Sequence, residues 1–210
     1  GVWLWDAEGR RYLDAYNNIM LAGHSHPKVA RAASEGMACL NTNTRYLYNA
    51  LDEYAEQLLA LFPEPLNKLF LVNSGSAATD LAIRLARYAT GRRKMLVLSQ
   101  GYHGNTSAGI AVSHYKHVKK DLFPDTLIGP FPGTADGNTL GGGEQSRRCI
   151  RAYLDLVQSH AGALAGFIAE PIMGCGGQLP LPEGLLPEVY GEIRKQGGVC
   201  ISDEVQVGFG

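Results

Sequence analysis

Residues 2–14 alternate apolar and polar positions around Asp6-Ala7-Glu8-Gly9, a pattern that predicts a β-hairpin. Residues 28–40 then read as a short helix. Over residues 47–62, Leu47, Leu51, Tyr54, Leu58 and Phe62 fall on one helical stripe, and Pro63 is the expected stop. From residue 69 the rhythm changes. Short apolar runs at Leu69–Val72, Met95–Leu98, Gly166–Ala169 and Val199–Ser202 predict strands buried on both faces. Helical periodicity fills the intervals at 76–90, 144–159 and 185–196, with Gly91 and Gly197-Gly198 as end signals. Strand and helix in alternation predict an α/β fold: a mostly parallel sheet with helices on both faces, preceded by the hairpin.

Ligands of such sheets bind beyond the carboxyl ends of the strands. Four segments there carry candidate chemistry. Asn73-Ser74-Gly75-Ser76 opens a helix, where free amides, a hydroxyl and the positive dipole end suit a phosphate. The same residues also describe an ordinary N-cap. Gly101-Tyr102-His103-Gly104 offers an aromatic face to a planar ring, or simply a loop tyrosine. Glu170-Pro171-Ile172 and Asp203-Glu204-Val205-Gln206 each put an acid at a strand end. Buried there, a carboxylate needs a partner such as a protonated ring nitrogen; otherwise it is a cap or a loop charge. Neither G-x-G-x-x-G nor a Gly-Lys-Ser/Thr phosphate loop occurs, which disfavours a nucleotide-binding domain.

Taken together and in this order, Asn73-Ser74-Gly75-Ser76, Tyr102-His103-Gly104, Glu170-Pro171-Ile172 and Asp203-Glu204-Val205-Gln206-Val207-Gly208-Phe209-Gly210 resemble the class III, fold type I aminotransferases, which use pyridoxal 5'-phosphate (PLP). Gly23-His24-Ser25-His26-Pro27 resembles a further element of the family; its two histidines read as a loop motif rather than a metal site. The resemblance extends along essentially the whole chain. Within the family, Asn41-Thr42-Asn43-Thr44-Arg45-Tyr46-Leu47 and the Tyr102-to-Lys116 stretch are most similar to the branch that eliminates phosphate from phosphoethanolamine and phosphohydroxylysine.

The resemblance implies roles. Gly75 and Ser76 would hold the cofactor phosphate, with His103 among the cofactor-binding residues. Tyr102 would stack on one ring face and Val205 pack on the other. Asp203 would pair with the ring nitrogen, Gln206 would reach the phenolic oxygen, and Glu170 would support the site near substrate. It also implies residues 1–46 as a substrate-side segment, 47–210 as an incomplete cofactor-binding domain, and a homodimer with sites at the interface. Arg45 is the candidate second anion site; alternatively it caps a helix or pairs with Asp52 or Glu53. Two departures are visible. Ala77 stands where the family has a Glu. The family's Schiff-base lysine, its partner-subunit threonine and its small domain are all expected past Gly210, because the lysines from Lys28 to Lys195 stand in other contexts.

Composition changes this picture little. With 210 residues, 45% apolar, 19% charged and a net charge of −1, the chain offers no electrostatic reason for nucleic acid or an anionic membrane as partner. No apolar run has membrane-span length, and the opening Gly1-Val2-Trp3-Leu4-Trp5-Asp6 carries no basic n-region, so no signal peptide is expected within it. The four cysteines are far apart, with no C-x-x-C pair, which points to a reduced, cytoplasmic setting. The expectation is a PLP enzyme acting on a small-molecule primary amine, by phosphate elimination first and transamination second. The rival is a phosphate-binding or PLP-binding module that does not turn over, which is the expectation for this stretch without its lysine.

Overall fold

The structure is a computed structural model that describes residues 1–15, 21–43, 45–117, 123–134, 138 and 143–208. Thr44, Lys119, Lys120, Phe209-Gly210 and most of the glycine-rich stretch 133–143 lie outside the described residues. The chain divides into two units, Gly1–Leu71 and Val72–Gly210.

In the first unit, β1 (Trp3–Trp5) pairs antiparallel with β2 (Arg11–Leu13), placing Trp3 opposite Leu13. The Asp6 carboxylate accepts from the Glu8 and Arg10 amides and fixes the turn between them. Helices α1 (Pro27–Cys39) and α2 (Asn49–Leu59) follow, and neither buries a side chain. The expected stripe therefore shortens: the helix ends at Leu59, four residues before Pro63, and Leu47 is exposed outside it.

The second unit is a three-layer α/β domain. Its sheet has the order β4-β3-β5-β8, made of β3 (Lys94–Val97), β4 (Thr126–Ile128), β5 (Leu164–Ala169) and β8 (Val199–Ser202), and every pair is parallel. Helix α3 (Gly75–Thr90) precedes β3, and the short α4 (Ser107–Val112) follows it. Helix α5 (Glu144–Ser159) leads into β5, and α6 (Leu185–Lys195) into β8. A small ribbon of β6 (Ile172–Met173) and β7 (Leu179–Pro180) lies between β5 and α6.

Two-residue alternation sorts the strands' side chains into two cores. Met95, Val97 and Ile168 pack with Ile83 of α3 and Val112 of α4. Leu96, Leu98 and Phe167 pack on the opposite face with Tyr153 of α5 and Val189 and Ile193 of α6. Burying one such side chain stabilises the fold by roughly 1.5–3 kcal/mol. The Tyr153 hydroxyl, deep in this core, donates to the Pro130 carbonyl (2.6 Å), so its burial leaves no unmet polar atom.

One expected strand does not form. Leu69–Val72 has no strand conformation, and Phe70, Leu71 and Val72 are exposed. An apolar run predicts burial, but a strand also needs a hydrogen-bonded neighbour, and no described strand lies beside this run. The strand at the sheet's end, β8, is likewise only half-buried rather than covered on both faces. Strand β4, which the sequence pattern did not single out, takes the other edge beside β3.

Candidate active site

The site is built where β3, β5 and β8 end and α3 begins. Ser74 caps α3: its Oγ accepts from the Ala77 amide (3.1 Å), and its carbonyl accepts from the Ala78 amide. The amides of Gly75 and Ser76 have no carbonyl one turn back, so they remain for an anion at the positive end of the helix. Ser76 Oγ accepts from the Asn105 amide (3.1 Å) and ties the loop after β3 to the start of α3. That approach is tight. A Cβ on Gly104, whose φ is +110°, would lie 2.6 Å from Ser76 Oγ, and a Cβ on Gly75 would lie 2.9 Å from Val205 Cγ2.

Asp203, immediately after β8, lines the same site. Its Oδ2 accepts from His103 Nδ1 (2.7 Å) and its Oδ1 from the Val205 amide (3.2 Å). Accepting from Nδ1 assigns the proton to that nitrogen. The His103 ring is fully buried, and its Nε2 has no hydrogen-bond partner among the described residues. Its backbone amide donates to Ser113 Oγ (2.7 Å), which in turn donates to the Gly109 carbonyl (2.6 Å).

Glu170, after β5, is buried and accepts two backbone amides: Tyr102 on Oε1 (3.0 Å) and Gly174 on Oε2 (3.0 Å). Burial pushes its carboxyl above the ordinary value of 4.5, more than the two amides and His103 draw it down; Asp203 adds to the rise. The carboxylate thus fixes the backbone on which Tyr102 is carried.

These groups enclose a cavity of about 210 Å³, lined by Gly75, Ser76, Tyr102, His103, Glu170, Asp203, Val205 and Gln206 together with Ser74, Thr79 and Gly104. All the sequence-derived cofactor positions thus converge on one pocket. Arg45 belongs to the N-terminal unit, where it is exposed, and its amide donates to Asn43 Oδ1 (3.0 Å). Among the described residues it makes no ion pair with Asp52 or Glu53. His24 of the His-x-His element bonds Asp14 (2.6 Å). The sequence motifs contain Gly104 but gave it, Asn105, Ser113 and Thr79 no individual role in the site. The positive φ of Gly104 is the kind of demand that a glycine beside a functional aromatic can signal.

The family model for class-III aminotransferases matches residues 1–210. The chain belongs to the class-III aminotransferase family. It is 40% identical to an alanine–glyoxylate aminotransferase 2-like protein of Drosophila melanogaster, over 100% of this chain and 44% of that protein. It is 33% identical to ethanolamine-phosphate phospho-lyase homolog 1 of Caenorhabditis elegans, over 99% of this chain and 48% of that protein. Among solved structures, a phospholyase from Arthrobacter in complex with phosphoethanolamine superposes with a TM-score of 0.87 at 37% identity, covering 100% of this chain and 50% of that one. The chain thus spans about half the length of the relatives it matches. Its sheet and flanking helices are those of the fold type I large domain, and PLP is the cofactor of this aminotransferase family.

The pocket suits that cofactor on its own geometry. The start of α3, with Gly75, and a carboxylate positioned by a buried histidine line one cavity. A planar group with a phosphate at one end and a protonated ring nitrogen at the other matches this division of charge.

Proposed function

We propose that the intact protein is a PLP enzyme that eliminates phosphate from a small amino-alkyl phosphate. Bound there, the cofactor supplies the electron sink that lets a bond at the amine-bearing carbon break. The chain's residues bind and orient it. The amides of Gly75 and Ser76 would hold its phosphate, Tyr102 would stack on one ring face and Val205 would cover the other. Gln206 would reach the phenolic oxygen. Asp203, oriented by its contacts with His103 Nδ1 and the Val205 amide, would pair with the ring nitrogen. Glu170 keeps Tyr102 in place through its amide.

The observation that carries the cofactor reading is the buried His103–Asp203 pair facing the α3 amide cradle across one cavity. The lyase reading is supported by the likeness to the phosphoethanolamine-bound phospholyase and to the nematode phospho-lyase homolog. Arg45 is proposed as an anion site for the amine's phosphate, because a guanidinium fork matches phosphate oxygens. The 40% identity to the fly aminotransferase favours transamination as the second reading. Incubation of the full-length protein with phosphoethanolamine and no keto acid decides between them. Release of inorganic phosphate is expected, whereas amino transfer that requires a keto acid, without phosphate release, selects transamination.

A homodimer is proposed as the working form, to be checked by sedimentation of the active enzyme. A cytoplasmic setting accords with four free cysteines. A module that only binds cofactor remains the reading if the full-length protein loads PLP and turns over no amine.

A further inference from the structure

The turn after α4 is stitched to the loop that carries Tyr102. The Tyr115 amide donates to the Gly101 carbonyl (3.1 Å), the Gln100 amide to His114 Nδ1 (3.0 Å), and the His103 amide to Ser113 Oγ (2.7 Å). These bonds hold Tyr115 edge-on to Tyr102, with centroids 6.5 Å apart and planes at 75°. They also fix the root of the next side chain. Lys116 Nζ lies 5.5 Å from the centroid of the Tyr102 ring and 5.2 Å from that of Tyr115. The residue is exposed, and its contacts among the described residues are the two rings rather than a carboxylate. Rings at this distance restrain a long flexible side chain while leaving the ammonium's donors open to a ligand.

We propose that Lys116 contributes to substrate specificity: its ammonium, held near the ring of Tyr102, which lines the pocket, is a subsite for an anionic group on the amine substrate, a phosphate monoester above all. The charge pattern supports this. The ionisable acids lining the cavity are Glu170 and Asp203; with Asp203 paired to the cofactor, a Glu170 carboxylate would repel an anionic tail, the more so in a low-dielectric pocket. A cation at the Tyr102 side offsets that repulsion for an anionic amine and offers nothing to a neutral one. Burial, and after it the Glu170 carboxylate, pushes the Cys175 thiol up while the Lys116 ammonium draws it down, as expected for two charges in one neighbourhood. A compact ammonium with three donors suits a phosphate as a point charge.

The inference rests on the reading of the pocket as the amine and cofactor site, and it is tested on the full-length, cofactor-loaded enzyme. Amine-dependent turnover, by elimination or by amino transfer, is compared for phosphoethanolamine and for uncharged-tail ethanolamine in wild type, Lys116→Met and Lys116→Arg. The ratio of kcat/KM for the anionic over the neutral amine is expected to fall about 10-fold in Lys116→Met and to stay within roughly 3-fold in Lys116→Arg, the loss of one charge-assisted contact. In parallel, calorimetric titration with inorganic phosphate is expected to give a Kd weaker by about 10-fold in Lys116→Met, a difference that shrinks as salt is raised. An unchanged ratio and an unchanged phosphate Kd in Lys116→Met overturn the subsite and leave the lyase reading standing. Lys116-dependent phosphate binding in an enzyme that releases no phosphate overturns the lyase reading and leaves the subsite.

Discussion

His103 Nδ1 and Asp203 Oδ2 lie 2.7 Å apart, with side chains 0% and 9% exposed, one carried on the loop after β3 and the other just past β8. A carboxylate so nearly out of water is costly unless it is paired. Here one oxygen is satisfied by the imidazole and the other by the Val205 amide, while the cavity lies in front of both. The pair is preorganised to present the Asp203 carboxyl where a ring nitrogen would carry a positive charge.

Replacing Asp203 with Asn removes that charge while keeping the shape. An opposite charge at contact distance raises a cation's pKa by one to three units, and each unit is tenfold in the population of the protonated form. Asp203→Asn is therefore expected to lower kcat/KM by about 10- to 1000-fold, with an unchanged circular-dichroism spectrum and retained cofactor. Near-normal turnover with PLP bound would make Asp203 a purely structural acid.

Gly104→Ala tests the cradle. A non-glycine residue at φ +110° is strained, and its Cβ would fall 2.6 Å from Ser76 Oγ and 2.8 Å from Ser76 Cα. Relief requires the start of α3 to move. A loss of roughly 1–3 kcal/mol in urea unfolding is expected, together with weakened PLP affinity. Unchanged affinity would separate this contact from the phosphate site.

The core strands were legible in the sequence because they are buried on both faces. Met95–Val97 and Phe167–Ala169 are unbroken apolar runs, which few other structures require. The site was legible for a different reason: its residues follow directly on strand ends and a helix start, so motif order carried the geometry. The run at Leu69–Val72 misled because hydrophobicity says nothing of a neighbour's presence. Strand β4 stayed hidden because Thr126–Ile128 is three residues long and only half-buried, too short for a period to register. The His103–Asp203 bond joins residues 100 positions apart, and no local pattern encodes such a contact.

Tyr102→Ala should weaken the cofactor more than it slows the chemistry of bound cofactor. Aromatic stacking contributes roughly 0.5–1.5 kcal/mol beyond burial, so PLP affinity should fall about 2- to 10-fold from that loss alone. The Glu170 bond is to the Tyr102 backbone amide and survives the substitution, so the loop should hold its course. Unchanged PLP affinity, measured by fluorescence titration of the apoenzyme, would place the ring away from the cofactor.

Glu170 supplies a prediction with a definite sign in pH. Its folded carboxyl titrates above 4.5, chiefly because burial disfavours the charged form; the Tyr102 and Gly174 amides and His103 oppose that shift, and Asp203 adds to it. Between the unfolded value and the raised folded one, the folded chain binds more protons than the unfolded chain. Stability then falls as pH rises. The Glu170 contribution is therefore fully present below about 4.5 and is lost as pH climbs through the folded pKa. Glu170→Gln cannot titrate, so the wild-type minus mutant difference in unfolding free energy isolates this component. Urea melts at intervals from pH 4 to 8 should show the difference shrinking with pH above about 4.5 and then levelling off. The mutant should be the less stable protein at the acid end, since a carboxamide presents one acceptor oxygen where two amides, Tyr102 and Gly174, each need one. A difference that stays flat across this range would mean that Glu170 titrates in the folded protein as it does in water. A difference that grows with pH would mean that its amide partners, rather than burial, dominate the site.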